Sequence, residues 1–349
     1  MVVKGLRGVG KTVLLNAFEN QAESGDFLTY YHELTPESVL ARELVRDSEK
    51  ALTRLSLGER IGSKVREALG HLRTIKLTGP EGFGLEVDLR TADEGTVTSD
   101  LTDLFVQLGE AAKAKNRGVV FLLDEVQFAQ EVHFRAMISA LHRATQRNLP
   151  LTVAAAGLPQ IPRLSGEARS YAERLFTFPT IGNLGDDAAR AALTEPARQN
   201  EVEFTPDAVG RALAWTGGYP FFIQQLGKHA WNAAEKSPIT LVDVEAAIPS
   251  AQEALDSSLY EVRVQRATPA ERRYMRAMAE LGHGPYRSGA VAKKLGTSST
   301  TLSQLRDRLI SKGLIYATED YGYIDFSVPR FDEFMRRYMS YRAPPRPRK

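Results

Sequence analysis

The stretch GLRGVGKT, residues 5–12, decides the fold of this chain. It has the pattern glycine, any four residues, then Gly-Lys-Thr, and an apolar helix start follows at residues 13–15. Glycine lets backbone N–H groups approach an anion because no Cβ blocks positive φ, and the N-terminus of a following helix adds positive partial charge. The pattern predicts a phosphate-binding loop in which Lys11 reaches the β- and γ-phosphates of a nucleotide and the Thr12 hydroxyl ligates Mg²⁺. The predicted nucleotide contacts are Gly5, Gly8, Val9, Gly10, Lys11, Thr12 and Val13.

Composition restricts the class of protein. The chain has 349 residues, more than one hydrophobic core usually serves, so we expect at least two domains. It contains no cysteine, which excludes disulfides, thiolate nucleophiles and cysteine-based zinc sites. No secretory signal is visible, and the apolar runs are too short to cross a bilayer. We therefore expect a cytoplasmic protein without a membrane partner.

Short apolar segments alternate with helical patterns through residues 1–182. Such alternation predicts a parallel sheet covered by helices, an α/β fold, and we assign these residues to one domain. Residues 73–90 contain two alternating segments around a Gly-Pro-Glu-Gly turn, which predicts a hairpin inserted into that domain. After the first strand, which feeds the loop, the predicted strands lie at residues 27–33, 118–123, 151–156 and 175–181.

The strand predicted at residues 118–123 ends in two adjacent carboxylates, Asp124 and Glu125. Parallel sheets bind ligands at the carboxyl ends of their strands. We expect Asp124 to bind Mg²⁺ together with Thr12, and Glu125 to polarise an attacking water. Glu125 and Lys11 are thus the predicted catalytic residues. A glycine-rich turn and a strand that reaches solvent through acids are the structural alternatives, and the presence of both patterns in one chain favours the functional interpretation.

The strand patterns stop after residue 182. Residues 183–265 carry only helical patterns and are predicted to form a small all-α lid. The sequence Thr268-Pro269-Ala270-Glu271 has a helix cap, a first-turn proline and an acid at the third position, so a further domain begins near residue 266. The predicted lid helices lie at residues 186–200, 206–216, 220–234 and 241–264.

The order of elements in residues 266–342 predicts a winged helix-turn-helix domain. In DNA-binding domains of this kind the third helix lies in the major groove, and here Thr300, Arg306 and Arg308 are the predicted nucleic-acid contacts. Residues 343–349 are predicted to form a disordered basic tail. The predicted elements are helices at residues 269–281, 288–295 and 299–312 and strands at residues 314–317 and 323–328.

Charge in the C-terminal domain points to an anionic partner without identifying it. Residues 285–349 contain 13 Lys and Arg against six Asp and Glu. Glu319 and Asp320 lie at the predicted wing tip, however, where they would oppose phosphate contact. Winged helices also dock on proteins, so DNA binding and protein docking both stay open.

Three motifs follow one another in the order found in the AAA+ and STAND P-loop ATPases. They are GLRGVGKT at residues 5–12, FLLDEVQ at residues 121–127 and TGGYPFF at residues 216–222, followed by the predicted winged helix. The chain resembles these ATPases along nearly its whole length. Within the group it is most similar to the archaeal-type ATPases and relatives of replication-origin recognition proteins.

The resemblance implies a strand order of 5-1-4-3-2, with the strand at residues 151–156 between the strands that bear the loop and Asp124. It also implies an α-helical lid and a C-terminal winged helix-turn-helix domain. Gly218 and Pro220 match a Gly-x-Pro motif that faces the nucleotide in the family. Without the resemblance, the residues favour a helix-starting proline after a glycine turn.

The chain departs from the family pattern in two places. The fourth strand ends in AAAGL, residues 154–158, where relatives carry a polar sensor; Gln160 is the nearest candidate, and we expect slow hydrolysis. Relatives carry an upstream segment that completes the first strand and packs on the adenine, whereas only four residues precede Gly5 here, so we expect a trimmed chain, a start assigned too late, or weak recognition of the base. An arginine finger supplied by a neighbouring subunit is a further possibility; Arg174 is the first candidate, followed by Arg163 and Arg169, and the residues alone favour ordinary surface arginines.

These features predict a regulatory P-loop ATPase that binds ATP or ADP with Mg²⁺, hydrolyses ATP to ADP and phosphate, and repositions its winged helix with nucleotide state. Two alternatives stay open. One is a DNA-binding regulator that holds nucleotide with little turnover. The other is a STAND-type protein-interaction switch whose winged helix packs on the ATPase domain and releases on ATP exchange. The expected partners are ATP together with duplex DNA, another protein or further copies of this chain.

Overall fold

The computed structural model describes residues 1–56, 94–160 and 175–341. The chain forms two compact units, one from residues 1–4 and 11–180 and the other from residues 5–10 and 181–349. Several predictions lie outside the described residues. These are the hairpin at residues 73–90, the basic tail at residues 343–349 and the candidate arginine fingers Arg163, Arg169 and Arg174.

The first unit alternates strands and helices, as the apolar pattern predicts. The strand that precedes α1 is only three residues long, while the later strands are six or seven residues long. A short 3₁₀ turn, Val126–Phe128, follows β3. The elements are β1 Val2–Lys4, α1 Lys11–Ser24, β2 Leu28–Glu33, α2 Leu40–Ser56, α3 Glu94–Ala114, β3 Val119–Asp124, α4 Glu131–Gln146 and β4 Leu151–Gly157.

The sheet of this unit is parallel, with the order β1-β4-β3-β2. The segment predicted as the fifth strand lies beside β1: the Val2 N–H donates to the Thr177 carbonyl at 2.9 Å, and the Lys4 N–H donates to the Pro179 carbonyl at 2.8 Å. The predicted order 5-1-4-3-2 is therefore confirmed. The segment is an isolated bridge rather than a regular strand, because Pro179 has no N–H with which to continue a ladder.

The core of this unit is built around β3, whose six residues are all buried. Helix α3 packs on it through Phe105, whose ring stacks on that of Phe121 with centroids 5.4 Å apart. Leu101, Leu104 and Leu108 of the same helix are also buried and form its apolar stripe. Strand β3 is thereby held rigidly, which fixes the residues at its carboxyl end.

The second unit contains a helical segment, residues 186–265. The helix predicted at residues 241–264 is interrupted by a π-helical stretch, Asp256–Glu261. Within the described residues, no helix combines the length and the apolar character needed to span a membrane. The helices are α5 Asp186–Arg198, α6 Pro206–Thr216, α7 Pro220–Ala233, α8 Leu241–Leu255 and α9 Val262–Gln265.

A proline inside α5 links two helices of this segment. Pro196 has no N–H, so the carbonyl of Ala192, four residues earlier, lacks its helical partner. The side chain of Gln224 on α7 donates to that carbonyl at 3.2 Å. The hydrogen bond satisfies the carbonyl and ties α5 to α7.

The C-terminal segment, residues 269–341, has its elements in the predicted order. Its three strands form an antiparallel sheet with the order β5-β7-β6. The prediction of a helix from residue 299 is wrong at its start: residues 299–302 form turns, in which the Ser298 hydroxyl accepts the Thr301 N–H at 3.2 Å. The elements are α10 Pro269–Ala279, β5 Tyr286–Arg287, α11 Ser288–Lys294, α12 Ser303–Ser311, β6 Ile315–Ala317, β7 Tyr323–Phe326 and α13 Phe331–Tyr338.

One hydrophobic core joins the helical and C-terminal segments. It includes Tyr219 and Phe222 from the start of α7 and Phe331 from α13. The guanidinium of Arg330 lies over two rings of the helical segment, at 5.2 Å from the centroid of Trp215 and 5.7 Å from that of Phe222. The two segments therefore form a single packed unit.

Candidate functional site

Asp124 is the centre of a hydrogen-bonded cluster at the carboxyl end of β3. Its side chain is buried, and three donors meet its carboxylate. The Thr12 hydroxyl donates to Oδ2 at 2.5 Å, the Tyr31 hydroxyl donates to Oδ2 at 3.2 Å, and the Glu125 N–H donates to Oδ1 at 2.8 Å. The carboxylate is therefore held in one orientation from both sides.

Helix α1 supplies the threonine of this cluster. The helix begins at Lys11, which is buried, and its next two residues are exposed. Val13 is 72% exposed, which is unusual for an apolar residue at a helix start. The structure thus brings together Thr12 and Asp124, the two residues predicted to ligate Mg²⁺, on an accessible side of the helix.

Tyr31 belongs to this cluster, although the sequence analysis missed it. It lies on β2 opposite Leu122 of β3, two residues before the strand ends. Burial, and next the charge of Asp124, raise the pKa of the Tyr31 phenol well above its usual range, so the hydroxyl stays a donor at neutral pH. A signal was present, because the implied strand order puts β2 beside β3.

Glu125 has a backbone conformation that is rare for residues other than glycine. Its φ is 51° and its ψ is 38°, in the left-handed region. Its carboxylate accepts a short hydrogen bond from Nε2 of Gln127. Oε1 of the same Gln127 accepts the N–H of Leu158, at 3.0 Å. Gln127 was also missed by the sequence analysis, which includes it as the last residue of the FLLDEVQ motif but gives it no role.

The cluster fits a magnesium ion that arrives with a phosphate ligand. Mg²⁺ is usually held by one or two protein oxygens, and water and phosphate oxygens complete its shell. The Thr12 hydroxyl and the Asp124 carboxylate are such a pair of hard oxygen donors. Across residues 1–56, 94–160 and 175–341, no group of three or more His, Cys, Asp or Glu side chains is arranged to hold a metal by itself.

In the second unit, two positions of the loop at residues 5–10 have conformations that favour glycine. Gly8 has φ +84° and Gly10 has φ +94°, both strained for any other residue. A Cβ on Gly8 would lie 3.0 Å from Cβ of Phe221 and 3.2 Å from the Tyr219 hydroxyl, whereas a Cβ on Gly10 would meet open space. The loop is therefore closely packed at Gly8 and open at Gly10.

The same loop also packs on the C-terminal segment. The Arg7 N–H donates to the carbonyl of Ser327 at 3.1 Å. The Arg7 guanidinium covers Gly313, since a Cβ there would lie 2.6 Å from Nη2. Val9 is buried in the core that contains Tyr219. Both segments of the second unit thus hold residues 5–10.

The Gly-x-Pro residues have structural roles in the turn before α7. Gly218 has φ +73°, and a Cβ there would lie 2.5 Å from the carbonyl oxygen of Leu184. Pro220 is the first residue of α7. Tyr219 between them is buried, its hydroxyl has no hydrogen-bond partner among the described residues, and burial raises the pKa of its phenol. The turn itself accounts for the glycine and the proline.

The predicted nucleic-acid contacts lie in different elements. Thr300 is exposed in the turns before α12, not on the helix as predicted. Arg306 and Arg308 are on α12, and Arg306 pairs with Asp307 at 3.0 Å, while Arg308 is exposed. Thr300 and Arg308 are exposed, and Arg306 is half-buried.

These features define a class of protein. A glycine loop that ends in Lys-Thr, and a buried parallel strand whose terminal aspartate meets that threonine, are features of a P-loop ATPase. The family described as "AAA ATPase domain" matches residues 1–154, and the predicted resemblance to AAA+ P-loop ATPases is confirmed. The match covers the N-terminal part of the chain. A second family, described as a domain of unknown function (DUF8462), matches residues 257–335.

One solved structure supports this fold. A Walker-type ATPase of Pyrococcus abyssi is 17% identical, with a TM-score of 0.53, over 96% of this chain and 90% of that one. The Orc1 protein of Aeropyrum pernix in complex with DNA is 16% identical, with a TM-score of 0.44, over 96% and 86%. The RuvB branch migration motor of Thermotoga maritima is 15% identical, with a TM-score of 0.45, over 98% and 87%. The fold assignment rests on the first. Among curated proteins, none matches this sequence.

Proposed function

We propose that this chain is a Mg²⁺-dependent ATPase that converts ATP into ADP and phosphate. The observation that carries the proposal is the hydrogen bond between Thr12 and Asp124, which pairs the two oxygen donors expected around Mg²⁺. When bound, Mg²⁺ supplies positive charge that offsets the charge of the phosphates. Lys11 binds the phosphates electrostatically, and the loop glycines offer backbone N–H groups to them. Glu125 accepts a proton from the attacking water and so polarises it.

The test is ATP binding and turnover in four proteins. Lys11→Ala removes the phosphate-binding amine, so we expect ATP binding to be lost in calorimetry. Glu125→Gln removes the base, so we expect ATP to bind but not to be hydrolysed. Lys115→Ala is the matched control, since this exposed lysine follows α3 and belongs to no predicted site. Equal ATP affinity in the wild type and Lys11→Ala would refute the proposed site.

The proposed regulation is a switch of the STAND type in which the C-terminal segment holds the phosphate loop. It is favoured by the Arg7 N–H bond to Ser327 and by the packing of Arg7 over Gly313. In this proposal residues 266–342 form a winged helix, and nucleotide exchange loosens its hold on residues 5–10. These contacts are made by Arg7, one of the positions that the phosphate-binding pattern does not specify. Arg7 can therefore be substituted without changing the phosphate-binding glycines.

Arg7→Ala tests this regulation. We expect it to speed the release of a fluorescent ADP analogue and to promote ATP-dependent self-association, measured by light scattering. Arg42→Ala is a control arginine on α2 of the first unit. Unchanged release in Arg7→Ala would contradict the switch.

Duplex DNA is the alternative partner, and exposed Thr300 and Arg308 support it. If the C-terminal segment binds DNA, affinity falls steeply with salt, and Arg308→Ala weakens it further. Fluorescence anisotropy at three salt concentrations measures both effects. DNA binding in this assay, with no self-association in ATP, would favour the DNA-binding regulator over the protein-interaction switch.

A further inference from the structure

The side-chain amide of Gln127 connects two parts of the first unit. Its Nε2 donates to Oε2 of Glu125, and its Oε1 accepts the N–H of Leu158 at 3.0 Å. A backbone N–H can only donate, so the amide oxygen must face Leu158 and the NH₂ group must face Glu125. The two orientations of a side-chain amide are often hard to distinguish from geometry alone. Here the Leu158 N–H, which can only donate, fixes the orientation of the Gln127 amide.

Glu125 is held at both its backbone and its side chain. Its backbone has the left-handed conformation noted above, which persists only where the surroundings enforce it. The carboxylate of Asp124 accepts its N–H at 2.8 Å, and Gln127 donates to its carboxylate. Strained, doubly held residues of this kind cluster at functional sites. Gln127 provides one restraint on the Glu125 side chain.

The end of β4 contributes a backbone group here. Residues 154–158 have only alanine, glycine and leucine side chains, so none of them can donate or accept a hydrogen bond. The N–H of Leu158 is the polar group that this segment offers to Gln127. Through this hydrogen bond, the position of β4 relative to the 3₁₀ turn sets the position of the Gln127 amide and hence of the Glu125 carboxylate.

We propose that Gln127 is a positioning residue for ATP hydrolysis. It holds the Glu125 carboxylate in the orientation that polarises the attacking water, and it anchors that orientation to the end of β4. The role rests on the proposed function, in which Glu125 is the base. Gln127 acts through Glu125 and contacts neither the nucleotide nor the water in this role.

Gln127→Leu removes both hydrogen bonds at similar volume. We expect kcat for ATP to fall about 10- to 100-fold, the usual effect of a misplaced catalytic group, while KM for ATP stays within about twofold because nucleotide binding does not involve Gln127. Gln130→Leu is the matched control. Gln130 lies three positions later, and its amide bonds the Ser38 carbonyl at 2.9 Å and His133. We expect wild-type kcat from it.

Gln127→Glu separates positioning from a merely structural role. The variant keeps the shape of the side chain and an oxygen for the Leu158 N–H, but it sets a second carboxylate against Glu125. Two adjacent carboxylates resist ionising together. We expect the acid limb of the kcat–pH profile to move to higher pH by about one unit or more. A residue that only supports the fold would lower stability and leave the profile in place.

The outcomes distinguish this inference from the proposed function. If Glu125→Gln is inactive while both Gln127 variants keep wild-type kcat and pH profile, the positioning role is wrong and the ATPase stands. If the wild type has no turnover, or Glu125→Gln keeps it, the proposed function fails and the positioning role fails with it. Circular dichroism checks that each variant folds. If Gln127→Leu does not fold, the kcat and the pH profile of Gln127→Glu test the positioning role.

Discussion

The hydroxyl of Thr12 lies 2.5 Å from Oδ2 of Asp124, although 112 positions separate the two residues in the chain. Helix α1 carries the threonine and the carboxyl end of β3 carries the aspartate. The same carboxylate also accepts hydrogen bonds from Tyr31 and from its own chain neighbour, Glu125. Its orientation is therefore set by the protein before any ion binds, which lowers the cost of reorganisation on binding.

Thr12→Val tests the hydroxyl of this pair. The variant keeps the shape of the side chain and loses its oxygen, so we expect Mg²⁺-dependent turnover to fall about 100-fold. The variant also removes a hydrogen bond to the buried Asp124 carboxylate, so the free energy of unfolding without nucleotide should fall by about 1–3 kcal/mol. Thr12→Ser retains the oxygen and should retain turnover. Equal rates in the valine and serine variants would contradict the magnesium role.

Tyr31→Phe tests the second donor to Asp124. Removing a residue that orients a metal ligand typically weakens metal affinity by about tenfold or more. We expect the Mg²⁺ concentration for half-maximal turnover to rise by about tenfold, with kcat at saturating Mg²⁺ close to wild type. Tyr30→Phe is the control: its ring packs beside Phe121, with centroids 6.0 Å apart. A Mg²⁺ titration of turnover measures both variants.

Gly218→Ala and Gly217→Ala compare two adjacent glycines with positive φ. Both substitutions incur the cost of a left-handed alanine, about 1 kcal/mol. At Gly218 the new Cβ also meets the Leu184 carbonyl oxygen at 2.5 Å, whereas at Gly217 it meets no atom within 4 Å. We expect Gly218→Ala to lower the free energy of unfolding by about 3 kcal/mol or more. Similar melting temperatures for the two variants would contradict this packing.

Asp325→Asn tests a buried carboxyl in the C-terminal segment. Burial raises the pKa of Asp325 to about 6 from its ordinary 3.8, opposed by the Phe326 N–H and reinforced by Asp332. Because the pKa is higher in the folded state, the stabilising contribution of the protonated acid is complete below about pH 4 and is lost as the pH rises through 6. The asparagine keeps an acceptor for Phe326 and carries no charge.

We therefore expect the free energy of unfolding of Asp325→Asn, relative to wild type, to increase by about 2 kcal/mol between pH 4 and pH 7.5. Chemical denaturation at the two pH values measures the difference. Asp207→Asn is the control of opposite sign, since hydrogen bonds from Thr205 and from the Ala208 N–H lower the pKa of Asp207. Its stability relative to wild type should fall as the pH rises through the acidic range below about pH 4, and it should change little between pH 4 and pH 7.5.

Much of the first unit could be predicted because its signals are local. Strand β3 is a continuous apolar run, which fits a strand buried on both faces. The approach of Thr12 to Asp124 followed from a loop pattern and from the rule that parallel strands end at one edge. Both signals depend on a few adjacent residues, so they can be recognised without knowledge of the rest of the structure.

The features that the sequence analysis missed depend on strand register, backbone conformation and contacts between residues distant in sequence. Tyr31 reaches Asp124 only because β2 pairs with β3 so that Tyr31 lies opposite Leu122, and no sequence pattern states that register. Gln127 reaches Glu125 because Glu125 has a left-handed backbone conformation, which glutamate rarely adopts. The late start of α12 reflects the Ser298 hydroxyl bonding the Thr301 N–H in a turn.

Residues 5–10 are part of the compact unit that contains residues 181–349. Val9 is buried there with Tyr219 and Phe222, and Arg7 bonds Ser327. A recombinant fragment that begins at residue 181 would therefore leave aromatic surface uncovered and would be prone to aggregate. A fragment of this unit made for crystallography therefore needs residues 5–10 as well, either joined through a designed linker or added as a synthetic peptide.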